Sequence, residues 1–265
     1  MVKTISSLQN PFIKQLIQLK EKSKLRKQTG LFIIEGKREV SLAIKGNYTL
    51  ETLYYYADLF SASEAAALEP YGIDVIEISK AVYEKVAHRE TTEGVIAVAK
   101  SKKLSLENLN LTSKNPLILV AESTEKPGNI GALLRTADAA NIDAVIIANP
   151  LTDLYNPNII RSSVGGVFTV PIATGTTTEV IAHLKRHNIA IYPAILQESV
   201  AYDTIDFKTP SALVIGTESI GLSEEWRKNS TAKIQIPMEG KLDSMNLSVA
   251  AGILIFEAKR QRKYL

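Results

Sequence analysis

The groups in this 265-residue chain best suited to chemistry are amides, hydroxyls, one guanidinium and one carboxylate on three polar loops: Asn129, Arg135, Glu218, Ser244 and Asn246. Amides and hydroxyls hold a ligand by hydrogen bonding, and a guanidinium adds a charge that survives at any physiological pH. Each residue also has a plain structural explanation, Asn129 and Ser244 as helix caps, Arg135 and Glu218 as surface charges or an ion pair. Other chemistries find little footing. The absence of cysteine removes thiolate nucleophiles, disulfides and thiolate metal sites and leaves zinc only three histidines and the carboxylates, so no metal site is expected. There is no nucleophile elbow and no Walker-type phosphate loop. Gly128-Asn129-Ile130-Gly131 lacks the third spaced glycine of a dinucleotide fingerprint, and no acidic residue ends the next strand where such a site needs one.

The elements that must position these residues repeat an apolar strand followed by a helix. From residue 117 the pattern predicts strands over 117–120, 144–147, 168–172, 189–194 and 212–215, and helices over 130–137, 158–164 and 180–186, with another opening at 222–226. Strands this apolar, alternating with helices, indicate a mostly parallel sheet covered on both faces. Ligands of such sheets sit beyond the carboxyl ends of the strands, where the loops 122–129, 216–221 and 238–246 fall. A short strand at 236 leads through the last loop into a helix over 247–258. Leu247, Ala251, Leu254 and Ala258 form one apolar face of that helix and Val249, Ile253 and Phe256 another, so it needs two partners. Its own sheet is one; small residues at Ala250, Ala251 and Gly252 admit a second helix, with a symmetry mate as one candidate and burial within a monomer as the alternative.

The first hundred residues read as a separate small α/β domain (1–100), followed by a polar linker (101–114) and the second domain (115–265). Asn10-Pro11 opens a helix with Ile13, Leu16 and Ile17 turned inward, and strands over 31–36, 53–56, 75–78 and 94–99 alternate with helices through 40–44, 63–68 and 81–86. Lys14, Lys20, Lys22, Lys24, Arg26 and Lys27 crowd one segment opposed only by Glu21, a pattern that fits either a nucleic-acid surface or a solvated helix face. With 45% hydrophobic residues, a net charge of +3, no apolar run of membrane-spanning length and no signal peptide, the expectation is a soluble cytoplasmic protein.

Three segments, Pro127-Gly128-Asn129 to Arg135-Thr136-Ala137, Leu213 to Ser223 and Ile236-Pro237-Met238 to Ala251, resemble in order and spacing the three motifs of the SpoU, or TrmH-like, RNA ribose 2'-O-methyltransferases. Asn156 to Phe168 resembles the family's helix before a central strand, so the likeness covers essentially everything after Lys114. More weakly, 7–11 and 32–36 resemble the ribosomal-protein-like substrate-binding domain often fused in front. The resemblance implies a SPOUT domain whose last helix closes a deep trefoil knot, a topology that periodicity alone cannot foresee, and a homodimer formed through the knotted region. It implies S-adenosylmethionine as cofactor, bent in the knot against Gly216, Ile236 and Met245, with Thr217 and Met238 beside them. Thr217 stands where the family usually has Asn, Met245 where Leu is usual, and Ala140-Asn141 where a Gly commonly ends the first helix.

A sulfonium methyl already carries the charge that makes a thioether leave, so the implied reaction asks for no metal. The ribose hydroxyl must shed its proton near the transition state, and Arg135 is the implied activating group, as a hydrogen-bond donor to that oxygen or the adjacent phosphate rather than as a free base. Asn129, Glu218, Ser244 and Asn246 would orient it, while Lys20, Lys22, Lys24, Arg26, Lys27 and Arg161 would neutralise RNA phosphates. The front domain favours ribosomal RNA over tRNA; a tRNA enzyme and a catalytically silent dimeric RNA-binding protein are the rival readings.

Overall fold

The computed structural model describes residues 3–68, 71–88, 93–217, 221–242 and 244–264. The chain divides into two compact units, one made of Met1–Lys102 with Asp153–Thr169, the other of Lys103–Thr152 with Val170–Leu265.

The first unit opens with β1 (Lys3–Ile5), which the sequence reading left unassigned, then α1 (Pro11–Glu21), α2 (Ser23–Thr29), β2 (Leu31–Glu35) and α3 (Lys37–Lys45). It continues with β3 (Leu50–Tyr55), α4 (Ala62–Ala66), β4 (Asp74–Ile78), α5 (Lys80–Val86) and β5 (Val95–Lys100). Asn10 caps α1 by accepting from the Phe12 N–H, Pro11 begins it, and Ile13, Leu16 and Leu19 are its buried stripe. Gly30, at φ 67°, ends α2 in the left-handed region that costs glycine nothing. The sheet order is β1-β4-β3-β5-β2, with β1, β4 and β3 parallel and β5 antiparallel to both β3 and β2.

The second unit begins with a turn at Leu106–Asn108, inside the stretch expected as a linker; Leu106 is buried in the core of this unit, and Leu109 and Leu111 pack against that core. Then come β6 (Leu117–Glu122), α6 (Pro127–Ala140) and β7 (Ala144–Ala148). After Thr152 the chain contributes α7 (Pro157–Ser162) and α8 (Gly166–Thr169) to the first unit, and the second resumes with β8 (Ile172–Gly175), α9 (Thr177–Arg186) and β9 (Ala190–Pro193). The short β10 (Val200–Ala201), β11 (Ser211–Gly216), α10 (Glu224–Asn229), the short β12 (Ile234–Gln235) and α11 (Leu247–Gln261) complete it. Its main sheet, β8-β7-β6-β11-β9, is parallel throughout, as expected of strands buried on both faces. One face carries Ile118, Val120, Ile146 and Val214 into a core with Val180 and Leu184 of α9 and Trp226 of α10; α6 and α11 pack elsewhere on the sheet and against each other.

Two expected strands are corrected. Residues 168 and 169 are helical and the strand starts at Ile172, because Val164 and Gly165 take left-handed φ values of 54° and 84° that break α7 and start the turn of α8. Phe168 is used in packing, its ring edge-on to Tyr48 at 5.1 Å, while Phe32 stacks on Tyr155 at 4.3 Å. Ile236 is not in a strand: β12 pairs in parallel with β10 through Ile234 and Gln235 and ends there. Among the described residues no helix is long and apolar enough to cross a membrane.

Within the first unit Arg26 is 5% exposed and its Nε lies 2.5 Å from the Asp153 carboxylate, while Nη1 donates to the Leu19 carbonyl at 2.7 Å. Removing one member of a buried pair strands the other charge. Asp153→Ala is therefore expected to cost about 3 kcal/mol in urea unfolding; a loss under about 1 kcal/mol, as for exposed pairs, would contradict the buried-pair assignment.

Candidate active site

The main sheet of the second unit grows outward from β6, with β7 and β8 on one side and β11 and β9 on the other. The crevice between the carboxyl ends of β6 and β11 is thus the topological switch point, where the loops on either side diverge and leave room for a ligand. Glu122 and Gly216 end the two strands as register partners. A Cβ on Gly216 would come within 2.9 Å of the Glu122 carbonyl and 3.0 Å of Leu222, so this close approach admits only glycine.

The helices α6 and α11 run in the same direction. Gly252 faces Thr136, with 3.8 Å from its ideal Cβ position to the Thr136 methyl, and further along Lys259 Nζ lies 3.5 Å from the Asn141 carbonyl at the end of α6. Five residues before Thr136 is Gly131, in the first turns of α6, and five before Gly252 is Leu247, the first residue of α11; at equal helical rise these sit at one level, so the two helices begin at the same end. Because α6 follows β6 in a parallel sheet, that level is the carboxyl end of the strands. The chain reaches it from another side too, since Ala194, just past β9, bridges Ile234, and Ile236 and Met238 follow directly.

Asn129, Ser244, Met245 and Asn246 are thereby brought to one end of the unit, beside the Gly216 crevice. Asn129 is half-buried at the third position of α6, whose cap residue Lys126 makes no side-chain cap bond. Asn246, not Ser244, caps α11: its Oδ1 accepts from the Ser248 N–H at 2.9 Å and the Ser248 hydroxyl at 2.6 Å. Arg135 is exposed and makes no hydrogen bond or ion pair among the described residues, which leaves its donors available. Glu218 lies outside the described residues. Gly216, Thr217, Ile236, Met238 and Met245 are all half-buried, and Thr217 Oγ1 donates to the Gly221 carbonyl at 2.8 Å.

The half-exposed apolar groups of Ile236, Met238 and Met245 suit a flat apolar ring. A buried hydroxyl also awaits a partner: Thr124, in the loop after β6, is 3% exposed and its Oγ1 has none among the described residues.

Two of the residues expected to meet phosphates are corrected. Arg26 is buried against Asp153, and Lys20 Nζ donates to the carbonyls of Val86 and Ala87 at 2.8 and 2.9 Å, satisfying the open end of α5. Lys22, Lys24 and Lys27 are exposed, as is Arg161, whose Nη2 donates to Asn158 Oδ1 at 3.0 Å. Glu122 and Thr124 were read only as the start of a polar loop. The available signal for Glu122 was a lone carboxylate closing an otherwise apolar strand; for Thr124 there was none, since a β-branched residue in a loop says nothing about its hydroxyl.

Residues 116–256 match the model of the SpoU rRNA methylase family, and residues 10–97 match an MRM3-like substrate-binding domain. The chain is 28% identical to the 23S rRNA guanosine 2'-O-methyltransferase RlmP of Bacillus subtilis over 97% of its own length and 100% of that protein's. A solved RNA 2'-O ribose methyltransferase is 36% identical with a TM-score of 0.83, covering 98% of this chain and 99% of its own. A solved rRNA methyltransferase of Sinorhizobium meliloti with AdoMet bound is 31% identical with a TM-score of 0.88, covering 98% of each chain.

An unpaired buried hydroxyl costs free energy that a methyl of the same shape does not. Thr124→Val is expected to stabilise the ligand-free protein by about 1 kcal/mol, read from the midpoint of chemical unfolding; a destabilisation of that size would show that the hydroxyl has a partner.

Proposed function

This chain belongs to the SpoU rRNA methylase family, and on that premise we propose that it methylates the 2'-hydroxyl of a ribose in ribosomal RNA, with S-adenosylmethionine as donor. The observation that supports the site assignment is the convergence of the starts of α6 and α11 on the β6–β11 switch point, with Asn129 in the first turn of α6 and Ser244, Met245 and Asn246 in the segment that enters α11.

Bound there, S-adenosylmethionine supplies an electrophilic methyl on a sulfonium centre. Ile236, Met238 and Met245 give its adenine an apolar seat, and the backbone at Gly216 and Thr217 lines the crevice, a set that fits the group without a metal ligand. The Arg135 guanidinium donates to the 2'-oxygen or the neighbouring phosphate, stabilising the negative charge that develops as the proton leaves. Asn129, Ser244 and Asn246 orient the ribose by hydrogen bonding, and Glu218 is assigned to the same site from its place in the second motif. Lys22, Lys24, Lys27 and Arg161 supply phosphate contacts that set affinity rather than sequence choice.

In this reading the RNA-binding domain expected at 1–100 is the first unit, which also takes in Asp153–Thr169, the catalytic domain expected at 115–265 is the second unit, which begins at Lys103, and the enzyme acts in the cytoplasm as a homodimer. Support for the dimer comes from α11, which buries Leu247, Ala251, Leu254 and Ala258 yet leaves Val249 54% and Phe256 42% exposed, with Ile253 half-buried between them. A trefoil knot in the last part of the chain is consistent with α11 returning to pack on β6, β11 and α6.

The direct test follows labelled methyl from S-adenosylmethionine into ribosomal RNA and tRNA. Wild type is expected to label ribosomal RNA as 2'-O-methyl nucleotide, and Arg135→Ala to lose roughly 100-fold or more of that rate with cofactor binding kept. Label on tRNA alone would reassign the substrate, and bound cofactor with label on neither RNA would favour a silent RNA-binding protein. For the dimer, Phe256→Glu is expected to halve the mass seen by light scattering; an unchanged mass would remove α11 from the interface.

A further inference from the structure

Glu122 presents a carboxylate, 3% exposed, that has no cation beside it among the described residues. Its oxygens are satisfied by neutral donors instead: Oε1 accepts from the Thr177 hydroxyl at 2.6 Å and the Ser223 hydroxyl at 2.8 Å, and Oε2 accepts from the Ser223 N–H at 2.9 Å. Thr177 is the first residue of α9 and Ser223 the cap residue of α10, so the carboxylate also lies at the positive ends of two helices. Asn149, just past β7, completes the cluster: its Nδ2 donates to Thr177 Oγ1 at 2.8 Å and its Oδ1 accepts from the Thr177 N–H at 3.1 Å.

The two bonded partners differ in what they hold. Thr177 ties Glu122 to α9, on the core face of the sheet. Ser223 ends the loop that starts at Gly216, and Gly216 is itself the register partner of Glu122. One residue therefore grips both ends of the loop, which in between is closed by the Thr217 hydroxyl on the Gly221 carbonyl. The sheet ladder would fix the beginning of the loop without Glu122. Its far end at Ser223 has no ladder, and there the carboxylate takes both the hydroxyl and the backbone N–H.

From this geometry we infer that Glu122 is a positioning residue for the cofactor: through Ser223 it fixes the described ends of this segment, Gly216–Thr217 and Gly221–Ser223, against which S-adenosylmethionine binds. The inference rests on the functional reading above, which assigns that loop to the cofactor. It separates the two hydroxyls on Oε1, since both contribute to the stability of the fold but only Ser223 belongs to the cofactor loop.

The test compares Ser223→Ala, Ser223→Thr and Thr177→Val in the full chain, measuring thermal midpoint, the dissociation constant for S-adenosylmethionine by calorimetry, and turnover at saturating cofactor. Ser223→Ala and Thr177→Val each delete one hydroxyl donor to the same oxygen and are each expected to lower the midpoint, Thr177→Val by more because it also removes the acceptor of Asn149 Nδ2. Ser223→Ala should weaken cofactor binding about tenfold, equivalent to about 1.4 kcal/mol, with turnover at saturation kept. Ser223→Thr, which restores the hydroxyl, should bind as wild type, and Thr177→Val should stay within about twofold of wild type. Equal cofactor affinity in Ser223→Ala and Thr177→Val, with wild type binding normally, would overturn the inference and leave the enzyme reading intact. Wild type that binds no S-adenosylmethionine would overturn both.

Discussion

The arrangement depends on one packing constraint, the close parallel approach of α11 to α6. Helices that lie side by side on the inner strands of a sheet and run in the same direction begin at the same end of it, and here that end is where β6 and β11 part. The approach leaves room for little beyond small side chains: a Cβ at Gly252 would already touch the Thr136 methyl at 3.8 Å, and Ala251 is fully buried. A bulky side chain at 252 would push the helix away and take the 238–246 loop with it. The candidate site is thus set by backbone distance more than by any polar contact, which is the economical way to bring together loops far apart in sequence.

Buried charge is used in two different ways in the two units. In the first, Arg26 and Asp153 neutralise one another and add bonds to main-chain carbonyls, so the pair stabilises only as a pair. In the second, Glu122 has hydroxyls, an amide and two helix starts around it, which leaves a negative centre that neutral donors surround without cancelling. The first arrangement ties α2 to the segment at 153; the second ties strand ends to the loops that follow them. Neither group is available to a phosphate or a solvent ion, so charge counts along a sequence overstate the surface that remains.

How far this could be read from sequence follows the physics of each element. The parallel strands of the second unit were legible because each is a run of apolar residues bounded by turn signals, and the two faces of the last helix were legible from its spacing. The strand placed at 168–172 failed because Phe168 is apolar for another reason: it packs among aromatic rings of the first unit, which no local pattern reveals. Ile236 alternates with Ile234 as a strand residue would, but the pairing of β12 ends at Gln235. Lys20 and Arg26 looked like their exposed neighbours Lys22, Lys24 and Lys27, since nothing local distinguishes a cation that finds a carbonyl or a distant carboxylate in the fold from one that stays in water. At the site, the polar residues were legible as a set only through resemblance to known motifs. Capping of α11 by Asn246 was legible as one of two polar residues before the helix, whereas the capture of Ser223 by Glu122 joins chain segments about a hundred residues apart that no local pattern connects.

The central claim is that the starts of α6 and α11, with Arg135 further along α6, form a site that methylates a ribose of ribosomal RNA. Its most direct test is mass-spectrometric analysis of nucleosides from ribosomal RNA of cells lacking this protein, complemented with wild type or with Arg135→Ala. The account predicts that one 2'-O-methyl nucleotide disappears on deletion and returns with wild type but not with the variant. Ribosomal RNA whose 2'-O-methyl content is the same in all three would contradict it.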